Sequence, residues 1–246
     1  MRQLKTGNKE EQMVYSFKSR VRFSEIGEDR KMSLNSILNY YQDCSNFHSE
    51  EVGLGLSHLE AKKRAWMLSS WQICVNRYPV MGEPLVVSTW AYDFKGFYGH
   101  RNFLLRTEEG ELLSYANSLW IFIDTESGSP ARIDSEEAEG YVTEEKFPME
   151  YAPRKVPVPK DGDQMQEFTV KHYHLDVYHH VNNGQYIQMA REFLPDNFII
   201  HQMRAEYKKQ AVLDSVVIPV VHKEENSYTV ALCAEDGSPY AVVEFQ

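Results

Sequence analysis

Residues 171–195 read KHYHLDVYHHVNNGQYIQMAREFLP and join a histidine-rich segment to an amphipathic one. Four of the nine histidines of the chain lie here, at positions 172, 174, 179 and 180. From residue 186 onward apolar side chains recur at helical spacing and stop at Pro195, which predicts a helix capped by Asn182 or Asn183. A run of imidazoles therefore precedes a predicted helix directly.

The same pattern occurs earlier in the chain. The segment VRFSEIGEDRKMSLNSILNYYQDCS, which begins at Val21, aligns with the segment beginning at Val170 when 149 is added to its numbers. Further on, VNRYPVMGEPLVV from Val75 aligns with YKKQAVLDSVVIP from Tyr207 on adding 132. The order is the same in both halves. The alignments predict a duplicated unit made of a polar strand, a helix and several β-rich segments.

The segments after each predicted helix are typical of strands joined by antiparallel hairpins, with turn pairs such as Glu109-Gly110 and Asp236-Gly237. We predict an α+β fold in which each half is a long helix wrapped by an antiparallel sheet. Five of the ten prolines lie between residues 124 and 168, which is linker composition. The predicted units are residues 1–147 and 169–246, with a Pro-rich linker at 148–168. Sheets placed edge to edge would cover each other's exposed strands.

Composition excludes several classes of protein. The chain has 36 acidic and 26 basic residues, and its formal net charge of -10 would repel a nucleic acid. Its three cysteines lack disulfide or zinc spacing, which favours a cytoplasmic protein. Residues 1–17 have no apolar signal core, and no apolar run approaches the roughly 18 residues of a membrane span. We therefore expect no targeting or membrane-spanning segment.

The histidine cluster has three possible explanations: a metal site, an acid/base site, or a polar edge strand with solvated imidazoles. On an extended strand alternate residues share a face. One face would then carry His172, His174, Asp176, Tyr178 and His180, and His179 would point to the other face. Neighbours on that face lie about 6 to 7 Å apart and diverge little, so a tetrahedral metal set would need bends or distant ligands. This spacing argues against a metal.

The segment LDVYHHVNNGQYI resembles the signature D-x-N-x-H-V-N-N-x-x-Y of the acyl-acyl carrier protein (acyl-ACP) thioesterases. Other segments similar to that family are AEYKKQAVLDSVV, RFSEIGEDRKMSLNSILNYYQDCSNFHSEEVG, AWMLSSWQI and SLWIFIDTESGSPARI. The resemblance covers nearly the whole chain in the correct order. It implies a tandem, or double, hotdog fold, a bacterial relative of the plant enzymes, and hydrolysis of acyl-ACP thioesters that releases free fatty acid.

The resemblance also implies residue roles, with Asp176 and His180 catalytic. The family's usual Asn falls on Tyr178, and the plant members' Glu-Cys pair falls on Gln210 and Ala211. This departure excludes a cysteine nucleophile at that position. It favours attack by a water that Gln210 positions, with basicity and orientation supplied by His180 and Asp176. No metal or cofactor is expected.

The start of the predicted helix offers free backbone N–H groups for a developing oxyanion. Asn182, Asn183 and Gly184 are therefore candidate substrate contacts, although simple capping and a tolerated helix glycine explain them equally well. In the first half the positions equivalent to Asp176 and His180 are Gly27 and Lys31. One half should therefore be catalytic and the other should do something else.

The resemblance places the acyl-chain pocket in the first half, where extra residues separate the helix from the first long strand. Candidates to line it, which would look the same as core residues, are Leu54, Leu56, Leu59, Trp66 and Met67. The implied partner is an acidic carrier protein with a phosphopantetheine-linked acyl chain. Candidate docking residues, which solvated surface charges would also explain, are Lys62, Lys63 and Arg64, then Arg204, Lys208 and Lys209.

Two other functions remain open from the sequence. One is an acyl-coenzyme A thioesterase of the same fold with the same site. The other is a non-catalytic acyl-binding hotdog protein, which the loss of the family's Asn at Tyr178 and Glu at Gln210 would suit. The sequence is compatible with a monomer or a homodimer.

Overall fold

The computed structural model describes residues 14–246. Residues 1–13, which begin the predicted first unit and most of the segment inspected for a signal core, lie outside the described part. The helices are α1 (Leu34–Glu51), α2 (Leu56–Lys62), α3 (Ser135–Gly140) and α4 (Asn183–Arg191). The strands are β1 (Tyr15–Arg20), β2 (Arg64–Val75), β3 (Pro84–Lys95), β4 (Tyr98–Thr107), β5 (Leu112–Asp124), β6 (Asp163–Gln164), β7 (Phe168–Thr169), β8 (Gln202–Tyr207), β9 (Val216–Lys223), β10 (Tyr228–Cys233) and β11 (Pro239–Phe245).

The eleven strands of the described chain form one antiparallel sheet in the order β1-β3-β4-β5-β2-β8-β11-β10-β9-β6, with β7 also pairing with β9. The two halves join where β2 pairs with β8, from Ser70 opposite Glu206 to Cys74 opposite Gln202. The predicted edge-to-edge contact is therefore present, and it removes one exposed edge from each half. Within residues 14–246 no helix has both the length and the apolar character needed to cross a membrane.

Helix α1 begins at Ser33, whose Oγ accepts a hydrogen bond from the Ser36 N–H at 3.1 Å. The apolar stripe that the sequence predicts is buried against the sheet, and Tyr41 packs on Trp71 and Phe103 with ring centroids 6.2 and 5.1 Å away. Full burial of each such large side chain stabilises the fold by about 1.5 to 3 kcal/mol. Packing of one face thus holds the helix against its sheet.

Helix α4 is shorter than predicted, with nine residues against 18 in α1. Phe193 and Leu194 lie beyond its end and are only half-buried. Their N–H groups donate to the carbonyls of Ala190 and Arg191, three residues back, so the last turn tightens before Pro195. The prediction of a long helix in the second half was therefore wrong.

The duplication is confirmed at the level of backbone geometry. Ile26 bridges to Met32, and the positions 149 residues later, Leu175 and Val181, form the equivalent bridge. Within these turns Arg30 has a φ of 60° and His179, again 149 residues later, has a φ of 61°. The second offset also holds, because Met32 N–H donates to the Pro79 carbonyl and Val181 N–H donates to that of Ala211, which is 132 residues after Pro79.

The histidine segment is not an extended strand, so the prediction that alternate residues share a face was wrong. His172–His174 form a 3-10 turn in which the Lys171 N–H donates to His174 Nδ1 at 3.0 Å. A second turn follows, closed by the Asp176 N–H donating to the His180 carbonyl at 2.8 Å. These local hydrogen bonds replace the ladder that a strand would need.

The segment between the halves crosses the sheet on the face opposite α1. Gln72 on β2 donates to the Glu150 carbonyl and accepts from the Ala152 N–H, both at 2.9 Å. Further along, Arg204 donates to the Pro153 and Lys155 carbonyls, and Glu206 accepts from the Val156 N–H. The chain is thus fixed strand by strand across the β2–β8 junction. The end of the predicted linker pairs with β9, and the unit boundaries at 147/148 and 168/169 stay predictions.

Replacing Gln72 by alanine tests how much this crossing segment contributes to stability. Gln72 is 5% exposed. We expect Gln72→Ala to lower the free energy of unfolding by about 1 to 3 kcal/mol, because buried backbone groups lose their partners. Chemical denaturation followed by circular dichroism measures this change. Gln166→Ala, at an exposed glutamine of the same segment, is the matched control, and an equal loss in both variants would contradict the interpretation.

Candidate active site

Both halves line a single cavity of about 1120 Å³. The predicted site residues that line it are Leu56, Leu59, Trp66, Met67, Asp176, Tyr178, His180, Asn182, Asn183, Lys208, Lys209 and Gln210. The polar members come mainly from the second half and the apolar members from the first. The cavity therefore brings a polar, histidine-containing end together with an apolar region.

The turn over residues 176–180 presents His180 to the cavity. The Asp176 carboxylate accepts hydrogen bonds from the backbone N–H groups of Tyr178 at 2.9 Å and His180 at 3.3 Å. His179 takes the left-handed conformation within the turn, and the His180 imidazole is half-buried. Asp176 thus holds the backbone that carries His180.

The other three clustered histidines do not line the cavity. His172 and His179 are exposed, and His174 is buried against its own turn. Burial, and then the nearby Lys171 charge, hold the pKa of His174 below its usual value. Among residues 14–246 no three His, Cys, Asp or Glu side chains come together as a metal-binding group.

Helix α4 points its N-terminus into the polar end of the cavity. Asn182 is the N-cap, with its side chain accepting from the Gly184 N–H at 2.9 Å. Asn183 is the first residue of the helix, so its N–H has no intrahelical acceptor, while its carbonyl accepts from the Tyr207 hydroxyl at 3.1 Å. The fixed N–H of Asn183 is thus a candidate donor to a developing oxyanion.

Gly184 does not line the cavity, contrary to its predicted role as a substrate contact. A Cβ at this position would lie 3.0 Å from Asn35 Oδ1 and 3.2 Å from Asn39 Oδ1, both on α1. The close approach of the two helices therefore accounts for the glycine.

Tyr178 and Gln210 lie at the cavity mouth, and both side chains are exposed. Burial of part of the ring, and then the charges of Glu60 and Asp176, raise the pKa of Tyr178. Tyr178 is therefore a neutral hydroxyl near pH 7. Ala211, where the plant members have Cys, is buried, and its N–H donates to the Tyr186 hydroxyl at 2.9 Å.

The apolar region is built around Trp66. Its ring packs on Phe122 and Phe94 with centroids 4.7 and 6.1 Å away. Gly99 makes this possible, because a Cβ there would lie 2.9 Å from the indole. Leu54 is the one predicted pocket leucine that does not line the cavity, since it packs behind it against Ala91 and Tyr141.

Arg101 is a cavity residue that the sequence reasoning missed. Its guanidinium on β4 is buried and donates to His48 Nδ1 at 2.8 Å. Tyr141 packs against both groups, with its ring centroid 5.2 Å from Arg101 Cζ and 5.6 Å from the His48 ring. Alternation with Phe103 on β4 was the only sequence signal that Arg101 faces inward.

The predicted docking cations all have acidic partners within the chain. The pairs are Lys62 with Asp134 and Glu136, Lys63 with Glu126, Arg64 with Asp124, Arg204 with Glu244, Lys208 with Glu206, and Lys209 with Asp236. Of these cations only Lys208 and Lys209 line the cavity, whereas residues 62–64 do not. The structure thus separates the two predicted clusters.

His48 should make stability depend on pH. Burial, and then the Arg101 charge, lower the pKa of His48 from 6.5 to about 4. As the pH falls through 6.5 the unfolded chain gains a proton at His48 while the folded chain does not, so folding stability is lost between pH 6.5 and pH 4.

Replacing His48 by glutamine checks this dependence, because glutamine does not titrate and still offers Arg101 an acceptor. We expect the free energy of unfolding of His48→Gln to fall less steeply than that of the native protein over this pH range. Denaturant titrations across the range measure both slopes. His201→Gln, at an exposed histidine, should keep the native slope, and a native slope in His48→Gln would refute the assignment.

One helix wrapped by an antiparallel sheet, present twice in one chain around a shared cavity, defines a double hotdog protein. The family models described as acyl-ACP thioesterase N-terminal domain and C-terminal domain match residues 12–141 and 158–241. The chain belongs to the acyl-ACP thioesterase family, because these matches cover more than half of it.

Individual relatives agree with this assignment. The chloroplastic palmitoyl-acyl carrier protein thioesterase of Cuphea hookeriana is 29% identical over 223 residues, which are 83% of this chain and 54% of that protein. The acyl-ACP thioesterase structure from Bacteroides thetaiotaomicron has a TM-score of 0.88 at 19% identity and covers 95% of this chain and 97% of that one. The 12:0-ACP thioesterase of Umbellularia californica has a TM-score of 0.83 at 24% identity, covering 95% of this chain and 96% of that one. The chain spans about half the length of the curated plant relatives it matches.

Proposed function

We propose that this protein hydrolyses the thioester of an acyl-ACP and releases a free fatty acid. The observation that carries the proposal is the juxtaposition of His180 with the open N-terminus of α4, at the polar end of a largely apolar cavity. Thioester hydrolysis needs a proton acceptor for water and donors for the oxyanion. Family membership supports the same reaction class.

In the proposed mechanism His180 takes a proton from a water held by the Gln210 amide. The water oxygen attacks the thioester carbonyl carbon, and the carbonyl oxygen becomes an oxyanion that the Asn183 N–H stabilises. Collapse of this intermediate breaks the carbon–sulfur bond, and His180 returns the proton to the leaving thiolate. Asp176 keeps the 176–180 turn closed and so fixes the position of the imidazole.

Replacing His180 by alanine tests the proposed base. We expect kcat for acyl-ACP to fall by about 10² to 10⁴, because the water loses its proton acceptor. Release of free thiol gives the rate, and circular dichroism verifies folding. His172→Ala and His179→Ala are the matched controls at exposed histidines of the same segment, and they should keep most of the activity. Losses of similar size in all three variants would contradict a special role for His180.

The rival functions predict different outcomes in the same assay. An acyl-coenzyme A thioesterase would release thiol faster from acyl-coenzyme A than from acyl-ACP at equal acyl length. A non-catalytic acyl-binding protein would bind the acyl group and release no thiol from either. Faster turnover of acyl-ACP, abolished by His180→Ala, is the result that the proposal expects.

The cavity mouth gives a sharper prediction for carrier docking. Lys208 and Lys209 line the mouth, so reversing both charges to glutamate should raise KM for the acidic acyl-ACP about tenfold at low salt. Acyl-pantetheine lacks the carrier protein and should show no such rise. Charge reversal at Lys62 and Lys63, which lie outside the cavity lining, is the comparison. An unchanged KM in the Lys208/Lys209 variant would remove these residues from the docking surface.

A further inference from the structure

Arg101 is a buried cation without a carboxylate partner. The side chain is on β4 and the residue is 7% exposed. Its Nη1 donates to His48 Nδ1 at 2.8 Å and to Thr89 Oγ1 at 3.3 Å. Within residues 14–246 no aspartate or glutamate forms an ion pair with it, in contrast to Arg77 and Arg204. Its charge is therefore not neutralised by the protein.

The remaining donors of Arg101 face the cavity. A guanidinium has five N–H donors, and both side-chain hydrogen bonds of Arg101 use Nη1. Nε and Nη2 have no acceptor in the described part of the chain, yet neither atom is sealed inside the protein. Because Arg101 lines the cavity, these donors are available to a ligand in it.

A core position does not explain such a group. Burying a charge without a counter-ion costs several kcal/mol in proteins, so unpaired buried cations mark functional sites more often than packing sites. His48 adds no compensating charge, because it is neutral above pH 4. Tyr141 contributes only the face of its ring and donates its hydroxyl to Ser49. The surroundings hold Arg101 in place and leave its charge free.

Arg101 lies far from the thioester end along the sheet. Strands β5 and β2 separate β4 from β8, which carries Tyr207 beside the catalytic helix. Three strand spacings correspond to about 14 Å. The cavity lining from β2, β3 and β5 includes the apolar side chains of Trp66, Phe94 and Ile121. A ligand filling this space has a polar head, an apolar middle and, at Arg101, a hydrogen-bond acceptor.

We propose that Arg101 binds an oxygen function, such as a hydroxyl, keto or carboxylate group, at the end of the acyl chain remote from the thioester. The inference rests on the proposed function and specifies its substrate class. An unsubstituted alkyl terminus would leave the guanidinium buried without an acceptor. An oxygen at the same place accepts from Nε or Nη2 and replaces the lost hydration.

Binding of free acids tests this proposal without any turnover. The probes are straight-chain fatty acids from hexanoic to hexadecanoic acid, each compared with its ω-hydroxy and ω-carboxy counterparts of equal length by isothermal titration calorimetry. At one chain length or more we expect an ω-oxygenated acid to bind about 10 to 100 times more tightly than the plain acid. The ω-hydroxy and ω-carboxy series show which oxygen group is preferred.

Substitutions on β4 assign the preference to Arg101. Arg101→Met, of similar length and apolar, should abolish the preference, and Arg101→Lys should retain part of it because the charge remains. Arg106→Met, at an exposed arginine of the same strand, is the matched control and should keep the native preference. If Arg101→Met does not fold, the comparison of acids on the native protein still decides the proposal.

Two results would overturn the inference. One is equal or tighter binding of the plain acid at every length by the native protein, and the other is an oxygen preference that survives in a folded Arg101→Met variant. Neither depends on thioester hydrolysis. Failure of the proposed function would instead appear as absence of thiol release from both plain and ω-oxygenated acyl-ACP.

Discussion

The pairing of β2 with β8 is the contact on which the rest of this structure depends. It joins two half-sheets into one, and it brings the apolar wall of the first half beside the polar turn of the second. Each edge strand finds its hydrogen-bond partners in the other half, so neither half is complete alone. Gln72 and Arg204, on adjacent strands, then fix the crossing segment over the same junction. The site is thus a product of association between two halves of one chain.

The sequence was sufficient to predict the duplicated architecture, because its signals are local. Helix α1 follows from its apolar stripe and Ser33 cap, and the offset of 149 residues predicted equivalent turns down to the left-handed residues Arg30 and His179. The histidine segment was misread as a strand for a physical reason. Alternation of polar residues suggested a period of two, but the side chains of His174 and Asp176 bond to nearby backbone N–H groups instead.

The candidate site was predictable where a motif carried it and not where tertiary packing decides. Asp176 and His180 come from a short segment, and the structure places both at the cavity. Gly184 lay in the same segment, yet its role depends on α1, which is distant in sequence. Arg101 could not be distinguished from an exposed strand arginine, because its burial results from contacts with α1 and with Tyr141. Non-local contacts of this kind leave little trace in local composition.

Fusion of the two halves also breaks their symmetry. Two identical chains associating in this way would be bound to carry two equal sites, and any change in one would be repeated in the other. Here the first half has Gly27 and Lys31 where the second has Asp176 and His180. A mutation that reshapes the apolar wall therefore occurs once and leaves the reacting groups untouched. Chain selectivity and bond cleavage are thus free to diverge independently within one polypeptide.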